Sequence, residues 1–347
     1  MGSKKYQALV YATLAAVFYA INIPASKLLL REVGPTTMAA LLYLGAGIGV
    51  GILALVNRKE AVQAASLSKQ DLPYVIGMIV LDIVAPILLM LGISYGTSAN
   101  ASLLGNFEIV ATAIIALLIF KEAVSKRLWG AIALISLSSV LLSFEGADSF
   151  KFSLGSLFVL LATTCWGLEN NCTRSIASKS TYQIVVLKGI FSGLGALAIA
   201  LIKREVMPEL SYVVAAMLLG FVAYGLSIFM YVRAQNVLGA AKTSACYAVA
   251  PFVGAFLSFV FLRESLSWMY LIALAVMVAG SVLVVADTLI LSHTHSHEHT
   301  FVHTHDGTTH AHTVRHSHRH NHYLNEDKHA HHHDVAELEK LPGARHV

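Results

Sequence analysis

The chain has 347 residues, of which 56% are hydrophobic and only 13% charged, with a formal net charge of +4. Soluble domains carry about a quarter charged residues, and the last 56 residues hold more than their share of the charges, so the first 291 are too apolar for a water-soluble core. No basic stripe interleaves with aromatics, which argues against nucleic acid as a partner.

Lys4 and Lys5 precede an apolar run from Tyr6 to about Leu30. The run is too long for the apolar region of a signal peptide and has no clear cleavage site, so it reads as a first spanning helix. Nine more apolar stretches follow, at roughly 36–56, 73–94, 99–120, 127–144, 154–176, 182–202, 211–232, 240–262 and 268–291. A spanning helix needs roughly 20 apolar residues. Such segments must be helical, because a bilayer offers no partner to an unpaired backbone group. The expected fold is an all-α membrane protein of ten transmembrane helices followed by a disordered tail. Lipid is then an obligatory partner, and a homodimer stays open.

Loop charges set an expected orientation. With the N-terminus inside, the inner segments hold Lys4, Lys5, Arg58, Lys59, Lys69, Lys121, Lys126, Arg127, Arg174, Lys179, Arg233 and Lys242. The outer loops hold only Arg31, Lys151, Lys203, Arg204 and Arg263. This predicts a multi-pass inner (plasma) membrane protein with both termini cytoplasmic.

The chain also repeats itself. Placing Glu122 on Glu264 aligns Ala99 with Ala241, Ser102 with Ser244, Ser125 with Ser267 and Ser139-Val140-Leu141 with Ser281-Val282-Leu283. Nearer the start of each half, Tyr19 meets Trp166, Asn22 meets Glu169 and Lys27 meets Arg174. Two halves of five helices follow, expected at 1–146 and 147–291. An odd number of crossings inverts the second half, an arrangement found in transporters with a midplane site between repeats.

These halves resemble the EamA-type branch of the drug/metabolite transporter superfamily. The resemblance is carried by the aromatic-small pair in each first helix and by Phe120-Lys121-Glu122 and Leu262-Arg263-Glu264 closing each fourth. Leu103-Leu104-Gly105-Asn106-Phe107-Glu108 and Trp166-Gly167-Leu168-Glu169-Asn170-Asn171-Cys172-Thr173-Arg174, then Lys188-Gly189, sharpen it. It covers about residues 6–287. It implies an alternating-access carrier of small metabolites, often outward, and does not name the substrate.

Charges inside a membrane are costly and usually face the bundle interior or water. Asp82, Glu108, Glu169 and Lys188 sit deepest, while Lys27 and Arg174 lie near helix ends and can snorkel. Trp166, Glu169, Asn170 and Thr173 share one helical face. The expected substrate site is Asn22, Asp82, Asn106, Glu108, Trp166, Glu169, Asn170 and Lys188. The bland alternative is a buried ion pair, Glu108 or Asp82 with Lys188, that only orients helices. Glu122 and Glu264 read as helix-end charges, with Ser125 and Ser267 capping the next helices. Pro24, Pro86 and Pro251 are expected to kink their helices. Cys165, Cys172 and Cys246 lie in apolar segments and read as packing residues.

All seventeen histidines lie between His293 and His346. They run as His293-Thr-His295-Ser-His297-Glu-His299, His303-Thr-His305, His310-Ala-His312, His316-Ser-His318-Arg-His320-Asn-His322 and His329-Ala-His331-His332-His333. Neutral imidazole suits Zn, Ni, Co and Cu. The tail is poor in apolar residues and shows no helical period, so it is expected to order only on metal.

No phosphate loop, nucleophile elbow or metalloprotease motif is present, so an enzyme is not expected and no cofactor is required. The body has no histidine and no paired cysteine for a soft-metal path. The favoured reading is a carrier that moves a small organic solute outward, with a tail that binds Zn, Ni or Co. A metal transporter with the tail as buffer comes second. A membrane-anchored metal sensor or store comes third.

Overall fold

A computed structural model describes residues 3–58, 66–120, 124–145, 151–176, 179–238, 243, 246–264, 267–305 and 308–323. The described helices are α1 (Ser3–Leu29), α2 (Pro35–Val56), α3 (Leu72–Tyr95), α4 (Ser98–Leu104), α5 (Phe107–Phe120) and α6 (Lys126–Leu142) in the first half. The second half has α7 (Leu154–Ser175), α8 (Thr181–Ile202), α9 (Leu210–Gly220), α10 (Ser227–Leu238), α11 (Ala250–Leu262) and α12 (Trp268–Leu289). A π-helical turn, Phe221–Leu226, joins α9 to α10.

Among the described residues, seven segments are long and apolar enough to cross a membrane: Tyr6–Leu29, Pro35–Val56, Lys69–Tyr95, Ser98–Ile119, Thr181–Ile202, Leu210–Tyr231 and Trp268–Asp287. The other three crossings are α6, α7 and α11. Two of these helices are short, with 17 residues in α6 and 13 in α11. α7 is full length, but its last third carries Glu169, Asn170, Asn171, Thr173 and Arg174. The bundle's outer surface is apolar, with Leu28, Ile52, Val80, Leu118, Phe256 and Val282 among its exposed side chains. In water this would be a large sticky patch; in lipid it is the required face.

Helix contacts obey an exchange of halves. α2 packs on α8, the second helix of each half on the other. α3 packs on α7 as α10 packs on α1, and α5 packs on α7 as α11 packs on α1. α2 lies against α9 as α8 lies against α3. Two halves related by a two-fold axis produce this pattern, and an odd helix count places that axis in the membrane plane.

Two corrections to the continuous spans follow the same symmetry. The fourth span breaks at Gly105-Asn106, and the ninth turns at Ala248-Val249. Pro251 therefore sits at the first turn of α11, where its missing N–H is tolerated, and does not kink a helix interior. Pro24 and Pro86 do lie inside α1 and α3.

The crossing of α2 on α8 depends on glycine. A Cβ added at Gly47 would stand 2.7 Å from the Ile190 nitrogen, and one at Gly189 would strike the backbone of Gly47. Small residues let membrane helices approach this closely, and dispersion between the backbones holds them there. Gly189→Val should push the halves apart at a cost of ~1–3 kcal/mol. A lower melting temperature in detergent is the expected result.

Glu205, in the loop after α8, clasps the start of α2. Its Oε1 accepts from Thr36 N (3.2 Å), and its Oε2 accepts from Thr37 N (2.8 Å) and the Thr37 hydroxyl (2.9 Å). Lys203 Nζ pairs with Oε1 at 3.0 Å. Burial alone would raise the carboxyl's pKa, but these donors outweigh it and bring it down to about 2. A depressed folded value means that the clasp stabilises fully above the ordinary carboxylate range and is lost as pH falls toward 2. Glu205→Gln should lower the melting temperature at pH 7, and the gap from the parent should shrink as the buffer is taken from pH 5 toward pH 2.

Residues 286–347 form a second unit. In the first unit two short strands, β1 (Phe144–Glu145) and β2 (Lys151–Phe152), pair antiparallel; in the second, β3 (Ile290–His305) and β4 (Thr308–Tyr323) pair antiparallel in unbroken register, from Ile290 opposite Tyr323 to His305 opposite Thr308. The expectation of an unstructured tail rested on its few apolar residues. The alternation of His with Thr, Ser, Arg and Asn is itself a period-two strand pattern. Residues 324–347, with His329, His331, His332 and His333, lie outside the described residues.

Candidate functional site

Four helices, two from each half, meet at Lys188. α2 brings Tyr43, α3 brings Asp82, α7 brings Trp166 and Glu169, and α8 brings Lys188 itself. Lys188 Nζ lies 3.0 Å from Asp82 Oδ2 and 3.1 Å from Glu169 Oε1. Asp82 Oδ1 accepts from the Tyr43 hydroxyl at 2.9 Å and from Trp166 Nε1 at 3.2 Å. The Thr173 hydroxyl donates to Glu169 Oε1 from one turn further along α7. Asp82 is fully enclosed and Glu169 is 2% exposed. One ammonium thus stands between two carboxylates, so the described cluster holds more anionic than cationic groups.

The sequence placed these groups on three separate helices and left Lys188's partner open between Asp82 and Glu108. The structure selects Asp82 and adds Glu169. Glu108 makes a second pair instead: Asn170 Nδ2 donates to its Oε1 at 2.6 Å. Glu108 lies in the first turn of α5, directly after the helix break, where the helix dipole favours an anion.

The break also isolates polar atoms. Asn106 Nδ2 and Ser102 Oγ are buried and have no hydrogen-bond partner among the described residues. Orphaned buried donors are costly and call for an explanation, such as a bound solute. Asn22 joins the network through a third route. Its Nδ2 donates to the Tyr224 hydroxyl at 2.9 Å, and its Oδ1 accepts from Ser26 at 3.1 Å.

Tyr224 sits on the π-helical turn, and a row of rings extends from it. Tyr43 and Tyr224 have centroids 5.3 Å apart, Tyr224 and Tyr19 6.0 Å, Tyr19 and Tyr247 5.6 Å, and Tyr247 and Tyr231 5.2 Å. Sequence reasoning missed Tyr43. The available signal was that it is the one polar side chain in the middle of an otherwise apolar α2.

Charges near helix ends at one end of the bundle are also engaged. Lys27 Nζ donates to the carbonyls of Ile93 (2.5 Å) and Gly96 (2.7 Å) at the C-terminus of α3. Glu264 accepts from Ser98 N (2.7 Å) and Ala99 N (2.8 Å) at the start of α4. Lys27 is thus held by backbone carbonyls, and Glu264, read as a helix-end charge, serves the start of a neighbouring helix. Ser125 and Ser267 do cap the following helices, accepting from Leu128 N at 3.0 Å and Tyr270 N at 3.1 Å. Glu122 lies outside the described residues.

The model of the EamA-like transporter family matches residues 7–144 and again residues 153–286. The chain belongs to the EamA-like transporter family. An uncharacterized transporter of Methanothermobacter thermautotrophicus (strain Delta H) is 26% identical over 284 residues, spanning 77% of this chain and 82% of that protein. A solved crystal structure shares the fold, with a TM-score of 0.58 and 18% identity over 78% of this chain and 94% of that one. The two family matches each contain five crossings of this EamA-like protein, and each contributes two of the four helices around Lys188.

Breaking a buried ion cluster by removing its cation leaves uncompensated charge. Lys188→Met should destabilise this EamA-like protein by ~3–5 kcal/mol. Adding Asp82→Asn and Glu169→Gln to it should recover most of that loss. Thermal denaturation in detergent reads both, and an unchanged melting temperature for Lys188→Met would show that the cluster does not hold the helices.

Proposed function

We propose that the protein is a secondary carrier of a small polar organic solute, working outward across the plasma membrane by alternating access. The observation that supports this most is Lys188, bound at once by Asp82 and Glu169 where the two halves meet. An ion cluster at that seam is positioned to be remade as the halves rock against each other. Asn22, Asn106, Glu108, Trp166 and Asn170 complete the solute site in this reading. The unpartnered Asn106 Nδ2 and Ser102 Oγ supply spare donors for a solute, and Glu108 or Glu169 carries the coupling proton. The tyrosine row gives the site an aromatic wall.

The body contains no histidine, and its three cysteines form no closely spaced pair, which favours an organic cargo over a soft metal ion. Metal binding then belongs to the histidine-rich tail, on the cytoplasmic side by the loop-charge argument. The second reading, a Zn, Ni or Co carrier with the tail as buffer, is supported by that density of imidazoles alone.

Flux in reconstituted vesicles, screened over amino acids and other small solutes and over Zn, Ni and Co, separates these readings. Organic-solute flux should persist after deletion of residues 292–347. Glu108→Gln and Glu169→Gln should each lower it by about tenfold or more, or ~1.4 kcal/mol of transition-state stabilisation, while the purified variants keep their melting behaviour. Normal transport by both variants would overturn the site, and metal flux that requires the tail would favour the second reading.

A further inference from the structure

The hairpin register carries an inference about the tail that the histidine spacing alone does not. Residues two apart in a strand share a face, and directly opposed residues share it across the ladder. Every histidine of β3 is odd-numbered: His293, His295, His297, His299, His303 and His305. Every histidine of β4 is even-numbered: His310, His312, His316, His318, His320 and His322. The register sets odd positions of one strand opposite even positions of the other. All twelve therefore fall on one face. A slip of one residue would have split them between the two faces.

Eight of the twelve also stand directly opposite another histidine. His293 stands opposite His320, His295 opposite His318, His297 opposite His316 and His303 opposite His310. The other face pairs Thr294 with Arg319, Ser296 with Ser317 and Glu298 with Arg315, and has no histidine. The two strands are linked by Asp306-Gly307, a dipeptide that favours the tightest hairpin connection.

We propose that this face is a metal-binding surface with two sites, each made by both strands: a four-imidazole site of His293, His295, His318 and His320 toward the open end, and a three-imidazole site of His303, His305 and His310 toward the other end. This rests on the reading that the tail binds transition metals, and adds that each ion cross-links β3 to β4. The backbone positions of the quartet form a rectangle of about 5 by 7 Å, and those of the trio occupy three corners of another whose fourth is Thr308, leaving the fourth ligand to water. Zn–N bonds of about 2.0–2.1 Å in a tetrahedral shell need four ligands converging from such corners. Binding and pairing are then one event. The metal supplies the cross-strand bond that a two-stranded ribbon in water lacks, and the paired register holds the ligands in place for the metal.

The test uses the full-length chain in detergent, titrated with Zn2+ alone by calorimetry and with Co2+ alone by visible absorption. The informative variant transposes the outer half of β4 through Arg315→His, His316→Arg, Ser317→His, His318→Ser, Arg319→His and His320→Arg. Composition and the His-x-His spacing are kept, but these histidines move to the opposite face. The parent should bind at least two Zn2+ tightly and give the intense visible bands of tetrahedral Co2+. The transposed chain should lose one of those ions, with affinity down by on the order of 100-fold or more for two missing ligands, and about half the Co2+ absorption. If it binds Zn2+ and Co2+ as the parent does, local chelation within one strand explains the metal and the cross-strand sites are wrong, while the metal-binding tail survives. If the parent itself binds no Zn2+ tightly, both readings fall. The single-strand variant His303→Ala/His305→Ala should remove the other ion and leave the first.

Discussion

The ammonium of Lys188 between Asp82 and Glu169 is the constraint around which the bundle is organised. Charges this deep are tolerated only when they meet each other, and here the three come from α3, α7 and α8. That requirement fixes the rotation of those helices about their own axes. It also explains why α7 is poor in apolar residues toward its end: one face must carry Trp166, Glu169, Asn170 and Thr173 inward. Tyr43 and Trp166 then close the shell by donating to Asp82, which ties α2 into the same knot.

Much of this was legible in the sequence. Ten apolar runs, an internal repeat and a handful of buried charges announce a ten-helix membrane protein with charges gathered between its halves. The partner of Lys188 was not legible, because hydropathy says which residues are inside but not which helices touch. Glu108 and Asp82 are equivalent in the sequence, and only the break of the fourth span at Gly105-Asn106, between α4 and α5, sets Glu108 beside Asn170. That break was hidden by its own composition, since Leu104, Gly105 and Phe107 read as continuous apolar helix. The π-helical turn at Phe221–Leu226 was equally silent: a backbone that gains one residue per turn leaves no mark on an apolar stretch.

The tail shows the opposite failure. Its histidines were the loudest feature of the chain, and the strand pattern beneath them went unheard. The argument from low apolar content addresses whether a segment can build a core. It does not address a ribbon whose reason to pair lies in what its two strands would hold jointly.

Glu205 on α2, Glu264 on α4 and Lys27 on α3 share a consequence. All three fasten one end of the bundle through a formal charge placed on bare backbone at a helix terminus. A seal of interlocked aliphatic side chains would leave vacant space when pulled apart. These terminal amides and carbonyls, once released, can be rehydrated, so water substitutes for each charge at modest loss. Parting that end would therefore exchange each contact for hydration of the same groups, at less cost than opening an apolar seal.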